Sequence, residues 1–341
     1  MYKEIQYEDL EKDKLKGSFQ LIDVRSPKEY NSETIPGSIN LPIFTDEERA
    51  EIGTEYKNGS INEAKKIGIK AACKKLPDLF DKVLELDSKF DYLVFFCARG
   101  GYRSRAMVSL SKSLGLNVIK LEGGYKGYRH FINENLPNEV RDIKFIVLYG
   151  NSGSGKTDIL KCLKELGCDV LDLEECANHR GSVLGGVGLG SPNTQKMFES
   201  LVYDKLKNRK SNIVFTEGES KRIGRIIMPE YLYNSIKSGE NIKIEADMDI
   251  RVNNIYKEYA HGIENDEAII YSLNYLRRNI GNKRIDEYIK MIKEHNYNYV
   301  IQELLTNYYD PLYEYRDRKY VATFDNVDPI ETAKEIIEKC K

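Results

Sequence analysis

Apolar runs rich in β-branched and aromatic side chains recur along the chain at Gln20–Val24, Tyr92–Phe96, Asn117–Leu121, Lys144–Tyr149, Asn212–Thr216 and Tyr320–Phe324. Short runs of this kind predict buried strands. Helical spacing fills the intervals between them. Strand alternating with helix predicts an α/β fold of parallel sheets covered by helices, with ligands at the carboxyl ends of strands. The stretch Asn133–Asp142 contains Pro137 and polar residues, which predicts a linker between two such sheets and domains at 1–135 and 136–341. From about 249 to 318 the chain is rich in Tyr, Lys, Arg and Glu at helical spacing with no strand signal, so the second domain should carry a helical elaboration.

Composition narrows the functional classes. The chain has 341 residues, enough for two or three domains at roughly 100–200 residues each. Its 52 Lys+Arg against 54 Asp+Glu leave a net charge of −2, which excludes a uniformly basic nucleic-acid binder; an RNA partner must meet a local basic patch. Met1–Lys14 is charged every few residues, and no apolar run approaches the roughly 20 residues that span a bilayer. A cytoplasmic protein without membrane contact is expected. Six cysteines without a CxxC pair suggest neither a disulfide framework nor a structural zinc site.

Candidate chemistry begins at Tyr92-Leu-Val-Phe-Phe-Cys97-Ala-Arg99-Gly100-Gly101-Tyr102-Arg103-Ser104, an apolar strand running into a cysteine, a glycine loop and a helix starting near Ser104. Loop N–H groups, a helix N-terminus and the Arg99 and Arg103 charges all favour thiolate over thiol. Cys97 is therefore the candidate nucleophile, with Arg99, Gly100, Gly101, Tyr102, Arg103 and Ser104 as the anion-binding loop. A buried structural cysteine is the alternative, although such a residue requires neither the glycine pair nor the arginines. This segment resembles a rhodanese domain, as do Leu21-Ile-Asp23-Val-Arg25-Ser-Pro-Lys-Glu-Tyr30 and Ile35-Pro-Gly-Ser-Ile-Asn-Leu-Pro42. The resemblance implies a cysteine that accepts sulfur or selenium. Asp23 and Arg25 are expected to brace the loop.

The second half holds a strand followed by Gly150-Asn-Ser152-Gly153-Ser154-Gly155-Lys156-Thr157 and a helical pattern from Asp158. This is a phosphate loop: glycines let the backbone wrap phosphates, Lys156 reaches terminal oxygens and Thr157 can ligate Mg²⁺. The strand 212–216 ends in Glu217-Gly-Glu219-Ser-Lys-Arg222, where an Asp would be sought in an ordinary ATPase. The cradle is thus expected to hold a pyrophosphate that departs as a unit. Between the strands, His179, Arg180 and Ser182 precede four glycines, which suggests a lid carrying the first two to the phosphates, or else a solvated loop.

A rhodanese-like module followed by a P-loop NTPase-like module with a helical elaboration resembles the tRNA 2-selenouridine synthase family across nearly the whole chain. The resemblance extends to Asp46–Lys57, Asn178–Ser182, Glu217–Arg225 with Pro229, Ile280–Arg284 and Tyr308–Tyr313, and departs from the family pattern at Ala98 and Tyr102. It implies geranylation of wobble 2-thiouridine in tRNA by geranyl pyrophosphate, then replacement of the geranylated sulfur by selenium from selenophosphate. A selenosulfide on Cys97 is the expected carrier. An enzyme supplying selenophosphate is a possible partner. Glu217, Glu219, Arg222, Arg225 and Arg284 join the lid residues as expected phosphate or tRNA contacts. Stacking of anticodon bases beside a basic track would draw on Arg251, Arg277, Arg278, Lys283 and Arg284 among Tyr256, Tyr259, Tyr271 and Tyr275. Two other functions compete: a P-loop ATPase or phosphotransferase whose rhodanese module supplies sulfur, and a regulatory module that senses anions without thiol chemistry.

Overall fold

The computed structural model describes residues 3–260, 263–314 and 318–340. The chain divides into two compact units, Met1–Asn135 and Leu136–Lys341. In the first, β1 (Lys3–Ile5), β2 (Phe19–Asp23), β3 (Ile39–Asn40), β4 (Tyr92–Phe96) and β5 (Val118–Leu121) form a parallel sheet in the order β1-β5-β4-β2-β3. Its middle strand is β4, whose Leu93, Val94, Phe95 and Phe96 are fully buried. Each such side chain stabilises the sheet by roughly 1.5–3 kcal/mol, so the residue after Phe96 leaves from a rigid base.

The second unit has β6 (Lys144–Tyr149), β7 (Asp169–Leu171), β8 (Ile213–Glu217), β11 (Glu240–Glu245) and β12 (Ala322–Asp325) in the order β12-β11-β6-β8-β7, all parallel. A small antiparallel hairpin, β9 (Arg222–Ile223) and β10 (Ile226–Ile227), lies between β8 and β11 in the chain. Here too the middle strand, β6, is buried from Phe145 to Leu148. Neighbours of β4 and of β6 lie on both sides, so connections diverge at each middle strand and leave a crevice at its carboxyl end. Cys97 follows β4 and Gly150 follows β6.

The expected linker at 133–142 is instead the end of a continuous helix, Gly124–Arg141, with Pro137 inside it. Ile132, Leu136 and Val140 recur every fourth residue and are all buried. Burial of that stripe outweighs the one backbone hydrogen bond that proline removes. Strands β1, β3, β7 and β11 escape the pattern because they are short or, like Glu-Asn-Ile-Lys-Ile-Glu in β11, bury only alternate side chains. The last strand begins at Ala322, with Tyr320 and Val321 exposed before it. The helical elaboration spans Met248 to Glu314 in successive short helices and a π turn, Leu305–Tyr309; residues 261–262 and 315–317 of the expected region lie outside the described residues.

Candidate active sites

The Cys97 side chain is only 3 % exposed, so the thiol is more enclosed than a surface nucleophile. Burial pushes its pKa up. The Ser104 hydroxyl, which donates to Sγ at 3.3 Å, the N–H groups of Ser104 and Arg99, and the Arg103 charge together outweigh burial and hold the thiol below its ordinary value. The helix Tyr102–Ser113 starts directly over the sulfur, adding its N-terminal dipole. Of the donors expected from the sequence, the N–H groups of Ser104 and Arg99 reach the sulfur, with the Ser104 hydroxyl beside them.

Its arginines serve differently. Arg103 is committed to Glu29, with Nη2 donating to Oε1 at 3.1 Å, and lends the sulfur only its field. Arg99 is exposed at the loop's edge. Tyr102 is 59 % exposed beneath the Lys65 ammonium, which explains why an aromatic ring is accepted there.

The loop is held from behind by residues after β5. Tyr125 and Lys126 donate backbone N–H bonds to the carbonyls of Cys97 and Ala98 at 2.9 and 3.0 Å, and Lys120 Nζ donates to the Gly100 carbonyl at 3.0 Å. Gly124 must be glycine: φ is +57°, and a Cβ would lie 2.1 Å from the Cys97 carbonyl. Arg25, paired with buried Asp23 at 2.7 Å, stacks on Tyr125 with 4.3 Å to the ring centre, so the expected brace acts through that ring. Ser104→Ala removes a donor to sulfur while leaving this scaffold intact. The midpoint of Cys97 alkylation against pH is therefore expected to move upward in the variant, with slower alkylation at neutral pH; iodoacetamide labelling followed by peptide mass spectrometry measures it.

In the second unit the phosphate loop is shaped by three side chains outside it. Arg251 Nε donates to the Ser152 carbonyl at 2.9 Å, Asn254 Nδ2 to Gly153 at 2.9 Å and Asn326 Nδ2 to Ser154 at 2.8 Å. In a trans peptide the carbonyl and the following N–H point opposite ways. Fixing these carbonyls turns the Gly153 and Gly155 amides toward the other side, as an anion cradle needs. Lys156 Nζ donates to the carbonyls of Gly150 and Asn151 at 2.9 and 3.3 Å. Burial lowers its pKa, opposed by Glu174, Glu219, Glu217 and Glu258.

A cavity of about 370 Å³ opens beside the loop, lined by Ser152, Gly153, Gly155, Lys156 and Thr157, and by Arg180, Ser182, Glu174, Glu217, Glu219 and Glu258. Glu217 Oε1 accepts from the N–H groups of Leu173 and Glu174 at 2.6 and 2.9 Å, while its Oε2 is buried without a partner. Burial and the nearby carboxylates raise Glu217 well above its ordinary pKa, and burial with Glu219 pushes Glu174 up to about 8. Among the described residues no cluster of three acidic, histidine or cysteine side chains could hold a metal by itself. Thr157 and the orphaned Glu217 oxygen nevertheless suit Mg²⁺, which commonly completes its shell with phosphate and water.

Residues 143–340 match the family described as "tRNA 2-selenouridine synthase AAA domain", and residues 6–131 match "Rhodanese-like domain". A tRNA 2-selenouridine synthase from Shewanella oneidensis is 32 % identical over 331 residues, covering 88 % of this chain and 86 % of that one. Those from Shewanella pealeana and Bdellovibrio bacteriovorus are each 30 % identical, covering 88 % and 89 % of this chain and 89 % and 92 % of theirs. The chain belongs to the tRNA 2-selenouridine synthase family. It is an enzyme, and no helix among the described residues is long and apolar enough to cross a membrane.

In this synthase the expected lid is a tied loop. Asn178 Nδ2 donates to the carbonyls of Leu189 and Ser191 at 2.8 and 3.0 Å, and Arg180 Nη1 to Val187 at 2.8 Å. Arg180 reaches the cavity over the Tyr259 ring, 4.9 Å from its centre, whereas His179 does not line it. His179 is wedged between Gly185 and Gly224, where added Cβ atoms would come within 2.8 and 2.7 Å of its ring. Arg222 and Arg225 spend their guanidinium groups on the carbonyls of Gly224 and of Asn193 and Pro192, away from the cavity. Gly150 and Ser154 stand behind the loop: a Cβ on Gly150 would approach the Ile244 carbonyl to 2.4 Å, and the Ser154 hydroxyl is buried without a partner.

The expected RNA-facing set divides. Arg251 is buried against the phosphate loop and Asp310, Arg277 is paired with Asp286, and Tyr259 is half-buried beside Arg180. Tyr271 and Tyr275 are exposed and meet edge to face, and Arg278, Lys283 and Arg284 are also exposed. Sequence reasoning missed Arg251, Asn254 and Asn326 as braces, Glu174 and Glu258 as cavity residues, and the apolar wall described below. A lone Asn or Arg far along the chain carries no local pattern that could have revealed the braces.

Proposed function

We propose that this synthase works in two half-reactions on the wobble 2-thiouridine of tRNA, with geranyl pyrophosphate and then selenophosphate as co-substrates. The observation that carries the reading is the shared cavity, in which a phosphate loop and its lysine face a space also lined by apolar side chains. A hydrolase needs water there; an allylic pyrophosphate needs charge stabilisation at one end and dry surface at the other. In the first half-reaction the allylic carbon–oxygen bond breaks, the electron pair leaves with pyrophosphate, and the thiocarbonyl sulfur forms the new bond as the base loses its N3 proton. Lys156, the loop amides and Arg180 receive the departing charge. Mg²⁺ held by Thr157 and Glu217 would add to that neutralisation.

The second half-reaction belongs to Cys97. Carrying selenium on sulfur as a selenosulfide would require phosphorus to leave selenophosphate as phosphite, a two-electron reduction. Transfer of the phosphoryl group to the Cys97 thiolate breaks the phosphorus–selenium bond with its electrons on selenium and changes no oxidation state. The released hydrogen selenide adds at C2 and expels geranylthiolate, and water frees the cysteine as phosphate departs. Incubating thiolated tRNA with the protein and geranyl pyrophosphate alone should yield the S-geranyl nucleoside by mass spectrometry, and adding selenophosphate should convert it to 2-selenouridine. Selenation without a geranylated intermediate, or turnover of ATP in its place, would overturn the reading.

A further inference from the structure

We infer that the wall of the cavity formed by the helix Tyr297–Leu304 and the π turn after it is a length-selective seat for a ten-carbon prenyl chain, an assignment that rests on the allylic pyrophosphate reading above. The wall is built from adjacent pairs four residues apart: Val300 with Ile301, Leu304 with Leu305, and Tyr308 with Tyr309. An α-helix turns about 100° per residue, so each four-residue step overshoots a full turn by about 40°, and the three steps from Val300 to Leu312 would drift by about 120° on an unbroken α-helix. The stretch Leu305–Tyr309 is a π turn, whose wider i→i+5 bonding advances less per residue and takes back part of that drift. The three pairs therefore stay on one cavity, and Leu312, one repeat further on, still lines it. A π turn is costly to keep for packing alone, and such turns concentrate at functional sites.

Burial grades along the wall. Val300, Leu304 and Leu305 are buried, as are Ile269 and Ile292, which line the same cavity, whereas Leu312 is 54 % exposed. The buried end is the floor and the Leu312 end the mouth. The wall is also fixed to the phosphate cradle: Asp310, directly after the π turn, binds Arg251 in two bonds of 2.9 and 2.6 Å, and the same guanidinium holds the Ser152 carbonyl. The distance from diphosphate to floor is thus set by one buried bridge, which makes the floor a ruler. About 370 Å³ stands near the lower end of the roughly 300–1,000 Å³ of ligand pockets, enough for a short prenyl chain and too little for a long polyprenyl one.

The test compares dimethylallyl, geranyl and farnesyl pyrophosphates as donors to thiolated tRNA. Ile301→Trp fills the wall and is expected to shift the kcat/KM ratio of dimethylallyl to geranyl donor upward by roughly tenfold or more; Tyr308→Ala opens it and is expected to raise the farnesyl-to-geranyl ratio similarly. Inorganic pyrophosphate affinity, measured by calorimetry, should stay within about threefold of the parent in both, since neither touches the cradle. Tyr308 is only half-buried, so its truncation carries the test if Ile301→Trp does not fold. Unchanged donor ratios in folded variants, with geranyl transfer still dependent on Lys156, would overturn the ruler alone. Geranyl transfer that ignores Lys156, or fails in the parent, would overturn the reading beneath it.

Discussion

Lys156→Ala is expected to lower tRNA geranylation by roughly 10²–10³-fold or more, the scale on which removing one preorganised charge-stabilising group acts, while selenation of tRNA supplied already geranylated proceeds. The ammonium sits at the first position of the helix Lys156–Glu165, held by two loop carbonyls and faced by Glu174, Glu217, Glu219 and Glu258. Among the described residues no other lysine lines the cavity. Alanine is a good helix former and relieves the burial of a charge, so the variant should fold; the loss then falls on the leaving group. The competing ATPase reading makes the opposite forecast, loss of ATP turnover with selenation and geranylation lost or kept together. Nucleoside mass spectrometry on the two separately supplied tRNA substrates distinguishes them.

What the sequence makes legible here follows from the range of the interactions involved. Runs such as Tyr92–Phe96 and Lys144–Tyr149 are buried on both faces and carry their strand signal within five or six residues, and the loops after them hold their chemistry in consecutive positions. The cradle at Cys97 and the phosphate loop were visible for that reason. Arg103 lends the sulfur its field as expected, but its pairing with Glu29 is not legible, because Glu29 lies 74 residues away and also caps another helix. Arg251, offered to RNA on composition, is buried by a bridge to Asp310 that spans 59 residues. The helix through Pro137 shows the same effect: local chemistry signals a break, and tertiary burial of Ile132, Leu136 and Val140 overrides it. The apolar wall was hidden for another reason, since apolar positions at helical spacing read the same in sequence whether they line a cavity or a solid core.

Cys97→Ser is expected to abolish selenation, by roughly 10³-fold or more, with S-geranylated tRNA accumulating in its place. Serine is close to isosteric with cysteine, so the 2.9 and 3.0 Å bonds that tie the Cys97 and Ala98 carbonyls to Tyr125 and Lys126, and the burial beneath Ser104, should survive. The change is chemical. Donors that hold a thiol below its ordinary pKa cannot bring an alcohol near ionisation at neutral pH, so the donors remain and the nucleophile is lost. Selenophosphate labelled on phosphorus should leave a transient thiophosphate on the parent protein and none on the variant, whereas a selenosulfide would retain the selenium label. A regulatory domain that only senses anions would bind selenophosphate and keep full selenation after this substitution, because the amides that recognise the anion are untouched. Accumulation of the geranylated nucleoside in the variant would place Cys97 after alkylation and assign the two chemistries to the two units; its absence, with selenation intact, would remove the thiol from the reaction.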